Sequence, residues 1–229
     1  MERLPTGIDG LNKIIQGGFI KNSVNLVVGG PGSGKTIFAT QFLMEGLRNN
    51  EGCLYITFEE KKKKFYNDML AFGWDLAKYE KLGRFVFIEY SPEQVRNLIV
   101  KGGGVIEDVI KDAKIRRIVI DSITSFSLLY DDRLSKKEAA LDLFELLDKW
   151  ECTSVMTSQD ESFSDELIAS SLEFEADGII LLYHIRKKGH RVRALEILKM
   201  RGTKHPSDIV KVEITPKGIV VDPKTVVVF

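Results

Sequence analysis

Gly29-Gly30-Pro31-Gly32-Ser33-Gly34-Lys35-Thr36 has the G-x-x-x-x-G-K-[ST] spacing of a phosphate loop, and it follows the apolar run Val24-Asn25-Leu26-Val27-Val28. The residue types suit one task. Glycines let the backbone turn so that successive N–H groups face phosphate oxygens. A helix starting near Gly34 adds the positive end of its dipole at the same place. Lys35 can reach the outer phosphates, and the Thr36 hydroxyl can hold a magnesium ion. Residues Gly30 to Thr36 are therefore expected to cradle the phosphates of a nucleoside triphosphate.

Other candidates lie at the ends of apolar runs. Arg116-Arg117-Ile118-Val119-Ile120-Asp121-Ser122 reads as a strand that delivers the Asp121 carboxylate to the same magnesium. Glu59-Glu60 follows Leu54-Tyr55-Ile56-Thr57-Phe58, at the strand end where open parallel sheets bind ligands. One of these acids could orient or deprotonate the water that attacks phosphorus. Adjacent side chains at a strand exit cannot both face one water, so their roles should differ. Residue chemistry alone leaves an equal alternative, acids that offset a helix dipole ahead of Lys61-Lys62-Lys63-Lys64.

Thr157-Ser158-Gln159 ends another apolar run, and Gln159 there could sense a terminal phosphate or cap the next helix. Lys199 and Arg201 close an alternating strand and should project from one face. By themselves they read as exposed cations that discourage edge-to-edge aggregation. The lysine run at 61–64 reads as a solvated helix face. His184 reads as a structural residue in an apolar strand, and Arg191 and Arg193 as part of an exposed basic hairpin.

The elements that must position these residues alternate between strand-like and helix-like, which predicts a largely parallel sheet with helices on both faces. Val24–Val28, Cys53–Thr57, Phe85–Glu89, Arg117–Asp121 and Thr153–Thr157 have the apolar content of strands buried on both faces. Ser91-Pro92-Glu93-Gln94 and Ser135-Lys136-Lys137-Glu138 have the form of capping boxes that start helices. After the second, Ala139, Leu143, Leu146, Leu147 and Trp150 share one helix face, expected in the core. Gly102-Gly103-Gly104 should break the preceding helix. Beyond residue 178 the pattern changes to hairpins: Ile179–Ile185 with Arg193–Met200, then Ile209–Ile214 with Ile219-Val220-Val221. The C-terminal strands are therefore expected to be antiparallel and to extend one edge of the same domain, residues 1–229.

Composition excludes several classes. With 44% hydrophobic and 29% charged residues the chain is not disordered, and no apolar run approaches a bilayer-spanning length. Met1-Glu2-Arg3-Leu4-Pro5 lacks the apolar core of a signal peptide. Cys53 and Cys152 are read as reduced, so a cytoplasmic location is expected. Lys plus Arg and Asp plus Glu are 33 each, so no global basic bias draws the chain to nucleic acid. Residues 158–177 hold Asp160, Glu161, Asp165, Glu166, Glu173, Glu175 and Asp177 with no Lys or Arg, which disfavours a polyanion there.

The chain resembles the KaiC-like branch of the RecA/RadA superfamily of ATPases over nearly its whole length. The resemblance rests on Thr6-Gly7-Ile8-Asp9-Gly10-Leu11 with Gly17-Gly18, the phosphate loop, Gln41-Phe42-Leu43 with Gly46, and Phe58-Glu59-Glu60. It continues through Phe72-Gly73-Trp74, Ile120-Asp121-Ser122 and Leu198-Lys199-Met200-Arg201-Gly202-Thr203-Lys204-His205. It implies a three-layer RecA-like P-loop core, binding of ATP with Mg2+, and catalytic carboxylates at Glu59 and Glu60. It also implies a ring of identical subunits, expected to be a hexamer. Lys199 and Arg201 would then serve the neighbour's outer phosphate, with Thr203 and His205 near its nucleotide or the subunit junction. A regulatory or signalling ATPase, with a further protein partner, is the expected role. Two alternatives are a RadA-like DNA-binding recombinase paralogue and a scaffold switched by very slow turnover. The chain has one ATPase unit, not the two fused units of the clock protein, and the lysines after Glu60 depart from the usual Ser-Pro-Glu-like continuation.

Overall fold

The computed structural model describes residues 1–91, 93–94, 96–97, 103–124, 130, 132–159, 175–187 and 189–228. A short N-terminal ribbon pairs β1 (Arg3–Leu4) with β2 (Phe19–Ile20) around α1 (Leu11–Ile14). The main sheet is built from β3 (Val24–Gly29), β4 (Gly52–Thr57), β5 (Phe85–Glu89), β6 (Ile115–Asp121) and β7 (Thr153–Gln159). It is completed by β8 (Gly178–Lys187), β9 (His190–Met200), β10 (Val210–Thr215) and β11 (Gly218–Val226). Its nine strands run in the order β11-β10-β9-β8-β3-β7-β6-β4-β5. The six strands from β8 to β5 are parallel, and β8 to β11 form an antiparallel meander at one edge. This is the α/β architecture with antiparallel C-terminal strands that the pattern predicts.

Strand parity divides the interior into two cores. On β6, Arg117, Val119 and Asp121 face one way, and Ile118 and Ile120 the other. Val119 packs with Tyr55, Val155 and the apolar residues of α2 (Lys35–Arg48), Phe38, Ala39, Phe42 and Leu43. On that face α3 (Lys62–Leu70) contributes Phe65 and Met69, and α4 (Leu76–Lys81) contributes Leu76. Ile118 and Ile120 pack against α5 (Gly104–Asp112) and α6 (Arg133–Lys149) through Ile106, Leu143 and Leu147. The expected face of Ala139, Leu143, Leu146, Leu147 and Trp150 is buried in this second core. Among the described residues no helix is long and apolar enough to cross a membrane.

Helix starts follow the sequence in one place and depart from it in another. Ser91 N–H donates to Gln94 Oε1 at 2.7 Å and Gln94 N–H returns to Ser91 Oγ at 3.4 Å, the reciprocal box expected there. Pro92, like Gly102, lies outside the described residues. Gly103, with φ of 76°, caps the start of α5. Helix α6 does not begin at Ser135. Asp132 is its cap and accepts the N–H groups of Leu134 and Ser135, both at 2.9 Å. Asp132 also accepts the Ser135 hydroxyl at 2.6 Å, so Ser135 is spent inside the first turn. A carboxylate with two amides in reach outcompetes the hydroxyl as cap. The acidic run from Asp160 through Glu161, Asp165, Glu166 and Glu173 lies outside the described residues; Glu175 and Asp177 lie within them.

Arg117 is wholly buried on the α2 face of β6. Its Nε pairs with Glu51 at 2.5 Å, and its Nη1 donates to Pro5 O at 2.7 Å and Phe42 O at 3.0 Å. The guanidinium also lies over the Phe42 ring, 4.7 Å from its centroid. One side chain thus joins the N-terminal segment, the helix after the phosphate loop and β6. A Cβ at Gly46 would come within 2.6 Å of Arg117 Cδ, which is why the helix carries glycine there.

Candidate functional site

The loop between β3 and α2 turns tightly because Gly32 and Gly34 take φ of 72° and 107°, values that disfavour other residues. A Cβ at Gly29 would come within 2.3 Å of Leu182 O and 2.7 Å of Ser33 Oγ. Helix α2 is capped by Gly34 with no side-chain acceptor, and its first turn has no acid. Its leading N–H groups are therefore offered to an anion. Ser33 Oγ is buried with no hydrogen-bond partner, a second polar group awaiting an acceptor or donor inside the loop. Lys35 Nζ donates to Gly29 O at 2.8 Å and Gly30 O at 3.2 Å. Burial pushes its ammonium below the usual lysine range, against the opposing pull of Asp121 and Glu59.

Asp121 ends β6 at the mouth of this loop, and three hydroxyls converge on it. Thr36 Oγ1 donates to Oδ2 at 2.9 Å, Tyr55 Oη to Oδ2 at 2.6 Å and Thr157 Oγ1 to Oδ1 at 2.5 Å. Parity explains the convergence. Thr57 pairs with Asp121 and Ile120 with Met156, so Thr57, Asp121 and Thr157 form one row on the α2 face, with Tyr55 one repeat behind. Burial, then the Asp121 carboxylate, hold the Tyr55 phenol protonated well above its usual range, so it stays a donor.

Glu59 and Glu60 diverge, as adjacent residues must. Both N–H groups donate to Thr57 Oγ1, at 3.3 and 3.1 Å, which turns the chain out of β4. Glu59 is exposed and acts electrostatically on Lys35. Glu60 is half-buried, 3.6 Å from Lys64, and acts on Tyr55. The lysine run is exposed, and besides Lys64 two of its members are engaged, Lys61 with Glu89 and Lys62 with Glu80. Gln159 stands at the exit of β7 in register with Gly29, and its N–H donates to Thr124 Oγ1 at 2.7 Å.

Among the described residues no group of three or more His, Cys, Asp or Glu side chains converges on a metal position. Magnesium does not need one, because it takes one or two carboxylates together with waters and substrate phosphates. Thr36 and Asp121, in contact beside the loop, fit that pattern.

The remaining candidates lie at the opposite end of the sheet. Lys199 pairs with Ile179 and Met200 with Gly178, beside the start of β3. Arg201 N–H donates to Asp177 O at 2.8 Å, and its Nη1 lies 3.3 Å from Asp177 Oδ1. Asp177 in turn accepts Val24 N–H at 2.9 Å. From Val24 to Gly29 the strand advances roughly 17 Å at about 3.3 Å per residue, beyond the reach of an arginine. Arg201 therefore does not meet its own phosphate loop. Thr203 sits in the following turn, where Arg3 Nη2 donates to its Oγ1 at 2.9 Å, and His205 Nδ1 lies 3.1 Å from Pro206 O.

A family model described as "ATPase: KaiC" matches residues 4–226. The chain belongs to the KaiC family of ATPases. It is 34% identical to a UPF0273 protein of Pyrococcus furiosus, over 99% of this chain and 96% of that one. It is 35% identical to the circadian clock protein KaiC3 of Synechocystis sp., over 97% of this chain and 46% of the clock protein. A crystal structure of a KaiC-like protein from Pyrococcus horikoshii superposes with a TM-score of 0.85 at 33% identity, covering 97% of this chain and 99% of that one.

Three contacts in this KaiC-family chain escape a reading of the sequence. Tyr55 looks like core, and only its parity with Thr57 hints that it shares a face with Asp121. His184 and Arg193, read above as structural and as exposed hairpin, also flank the phosphate loop. His184 Nδ1 lies 3.5 Å from Pro31 O, and Arg193 Nε donates to Gly32 O at 3.1 Å. Strand pairing puts them side by side, His184 opposite Arg193, and nothing short of that register shows it. Tyr55→Phe removes one of the three donors to a buried carboxylate. It should cost about 1.5–3 kcal/mol of unfolding free energy, read as a lower urea midpoint at unchanged slope.

Proposed function

We propose that this chain binds ATP with Mg2+ and hydrolyses it at a site shared between neighbouring subunits of a ring, residues 1–229 acting as one ATPase unit. The observation that carries the reading is the contact of Thr36 with Asp121, beside Lys35 and the uncapped start of α2. Loop N–H groups of Gly30, Gly32, Ser33 and Gly34, Ser33 Oγ and Lys35 would bind the phosphates and offset the charge that grows on them. Thr36 and Asp121 would hold magnesium, which when bound would neutralise charge developing on the phosphates. Glu59 is the better placed of the two acids to orient water, since its field reaches Lys35 while Glu60 is drawn to Lys64. Tyr55 and Thr157 would fix Asp121 without touching nucleotide.

The shared site is supported by position. Arg201 and Lys199 stand at the far end of the sheet from their own loop, so any phosphate they serve belongs to another subunit. Thr203 and His205 would lie at the same junction. The ring of six and a regulatory role rest on the family resemblance alone. Phosphate release and assembly mass, measured together with and without Mg·ATP, test the whole reading. Magnesium-dependent turnover should appear only in the assembled species. Equal turnover per chain in a dilute monomer would overturn the shared site. A DNA-stimulated rate that collapses with salt would favour the recombinase alternative instead.

A further inference from the structure

We propose that Asp177 is the positioning residue for the cations this subunit lends to its neighbour. The inference rests on the shared-site reading given above. Asp177 is the last residue before β8, and it is docked on both sides. Its N–H donates to Val24 O at 2.8 Å and its Oδ2 accepts Val24 N–H at 2.9 Å, fixing it to the first residue of β3. Its carbonyl accepts Arg201 N–H at 2.8 Å, and its Oδ1 faces Arg201 Nη1 at 3.3 Å. The carboxylate therefore spans the base of the strand that carries this subunit's phosphate loop and the guanidinium that would serve the next one.

The need for such an anion is electrostatic. Lys199 is the penultimate residue of β9 and Arg201 the first residue of the turn that follows, so two like charges stand two residues apart in the chain. Burial and then Arg201 push the Lys199 ammonium down, while Asp177 and Glu175 pull it back up. The Asp177 carboxylate, paired with Arg201 and acting on the Lys199 ammonium, offsets the repulsion between the two cations. The Arg201–Asp177 pair is open to solvent, with the arginine 53% and the half-buried carboxylate 35% exposed, so the pair itself contributes little to stability. Its contribution is to orientation, because an arginine with free torsions must lose that freedom before it can meet a phosphate.

Mixed assemblies test this. Subunits with Lys35→Ala keep Arg201 but have a disabled loop, and subunits with Arg201→Ala keep the loop but lend no guanidinium. In equal mixtures, turnover comes from the second kind served by the first. Asp177→Asn preserves shape and the acceptor for Val24 N–H while removing the charge. Placed in the Lys35→Ala subunit, it should lower kcat of the mixture about tenfold with KM unchanged, and Asp177→Glu should restore part of the loss. Placed in the Arg201→Ala subunit, it should change kcat less than twofold. A folding defect would depress both mixtures alike, so equal losses, or none in the first mixture, overturn the assignment. If the parent mixture itself shows no turnover, the shared-site reading falls first, and the role of Asp177 falls with it.

Discussion

Arg201→Ala in every subunit should leave ATP binding intact and slow hydrolysis by about three to five orders of magnitude, the scale on which a trans-acting arginine works in phosphoryl transfer. The expectation comes from two distances. Within its own chain Arg201 is tied to Asp177 at the start of β3, and the phosphate loop is at the other end of that strand. In the ground state the guanidinium would add only one exposed contact to the neighbour's nucleotide, so affinity measured by fluorescence should move less than about threefold, on the order of the cost of one weak exposed contact. Lys35→Ala should do the opposite, weakening binding and turnover together, because its ammonium sits inside the loop. Equal mixtures of the two variants should regain activity. A fully active Arg201→Ala protein would refute the shared site, whatever its assembly state.

Arg117→Leu should lower the unfolding free energy by about 3–5 kcal/mol, the cost of breaking a buried ion pair from one side. Three acceptors lose their donor at once: the Glu51 carboxylate, Pro5 O and Phe42 O. The ring of Phe42 also loses the guanidinium stacked on it. Changing Glu51→Gln in the same chain should recover part of the loss, because no charge is then stranded. Urea midpoints at constant slope measure both effects. Because Phe42 lies within α2, which carries Lys35 and Thr36, the variant should also bind nucleotide more weakly after correction for the unfolded fraction. A loss under about 1 kcal/mol would show that water replaces the guanidinium, in line with the small net worth of solvated hydrogen bonds.

The phosphate loop, the order of strands and helices and the antiparallel end were legible along the chain because each depends on neighbours in sequence. Glycine spacing sets a backbone turn, and runs such as Arg117–Asp121 and Thr153–Thr157 advertise strands within two residues of their observed ends. The start of α6 was misread because Asp132 and Ser135 are both good caps, and only geometry shows which one reaches two amides. Tyr55, His184 and Arg193 were missed for a different reason. Their contacts with Asp121, Pro31 and Gly32 span more than sixty residues of chain, and no local periodicity encodes them.

Sequence by itself determined which residues could bind phosphate and that Glu59 and Glu60 could not share a role, since side-chain chemistry and alternation are local properties. It also determined family, through short blocks spread from Thr6 to His205. Only the tertiary structure decided what stands beside what. Inserting β7 between β3 and β6 sets the spacing at which Asp121 meets Thr36, and strand register turns Tyr55 and Thr157 onto the same carboxylate. The antiparallel return of β9 carries Arg193 to the phosphate loop and Arg201 away from it, because the strand from Arg193 to Met200 covers the height of the sheet and Arg201 follows in the turn.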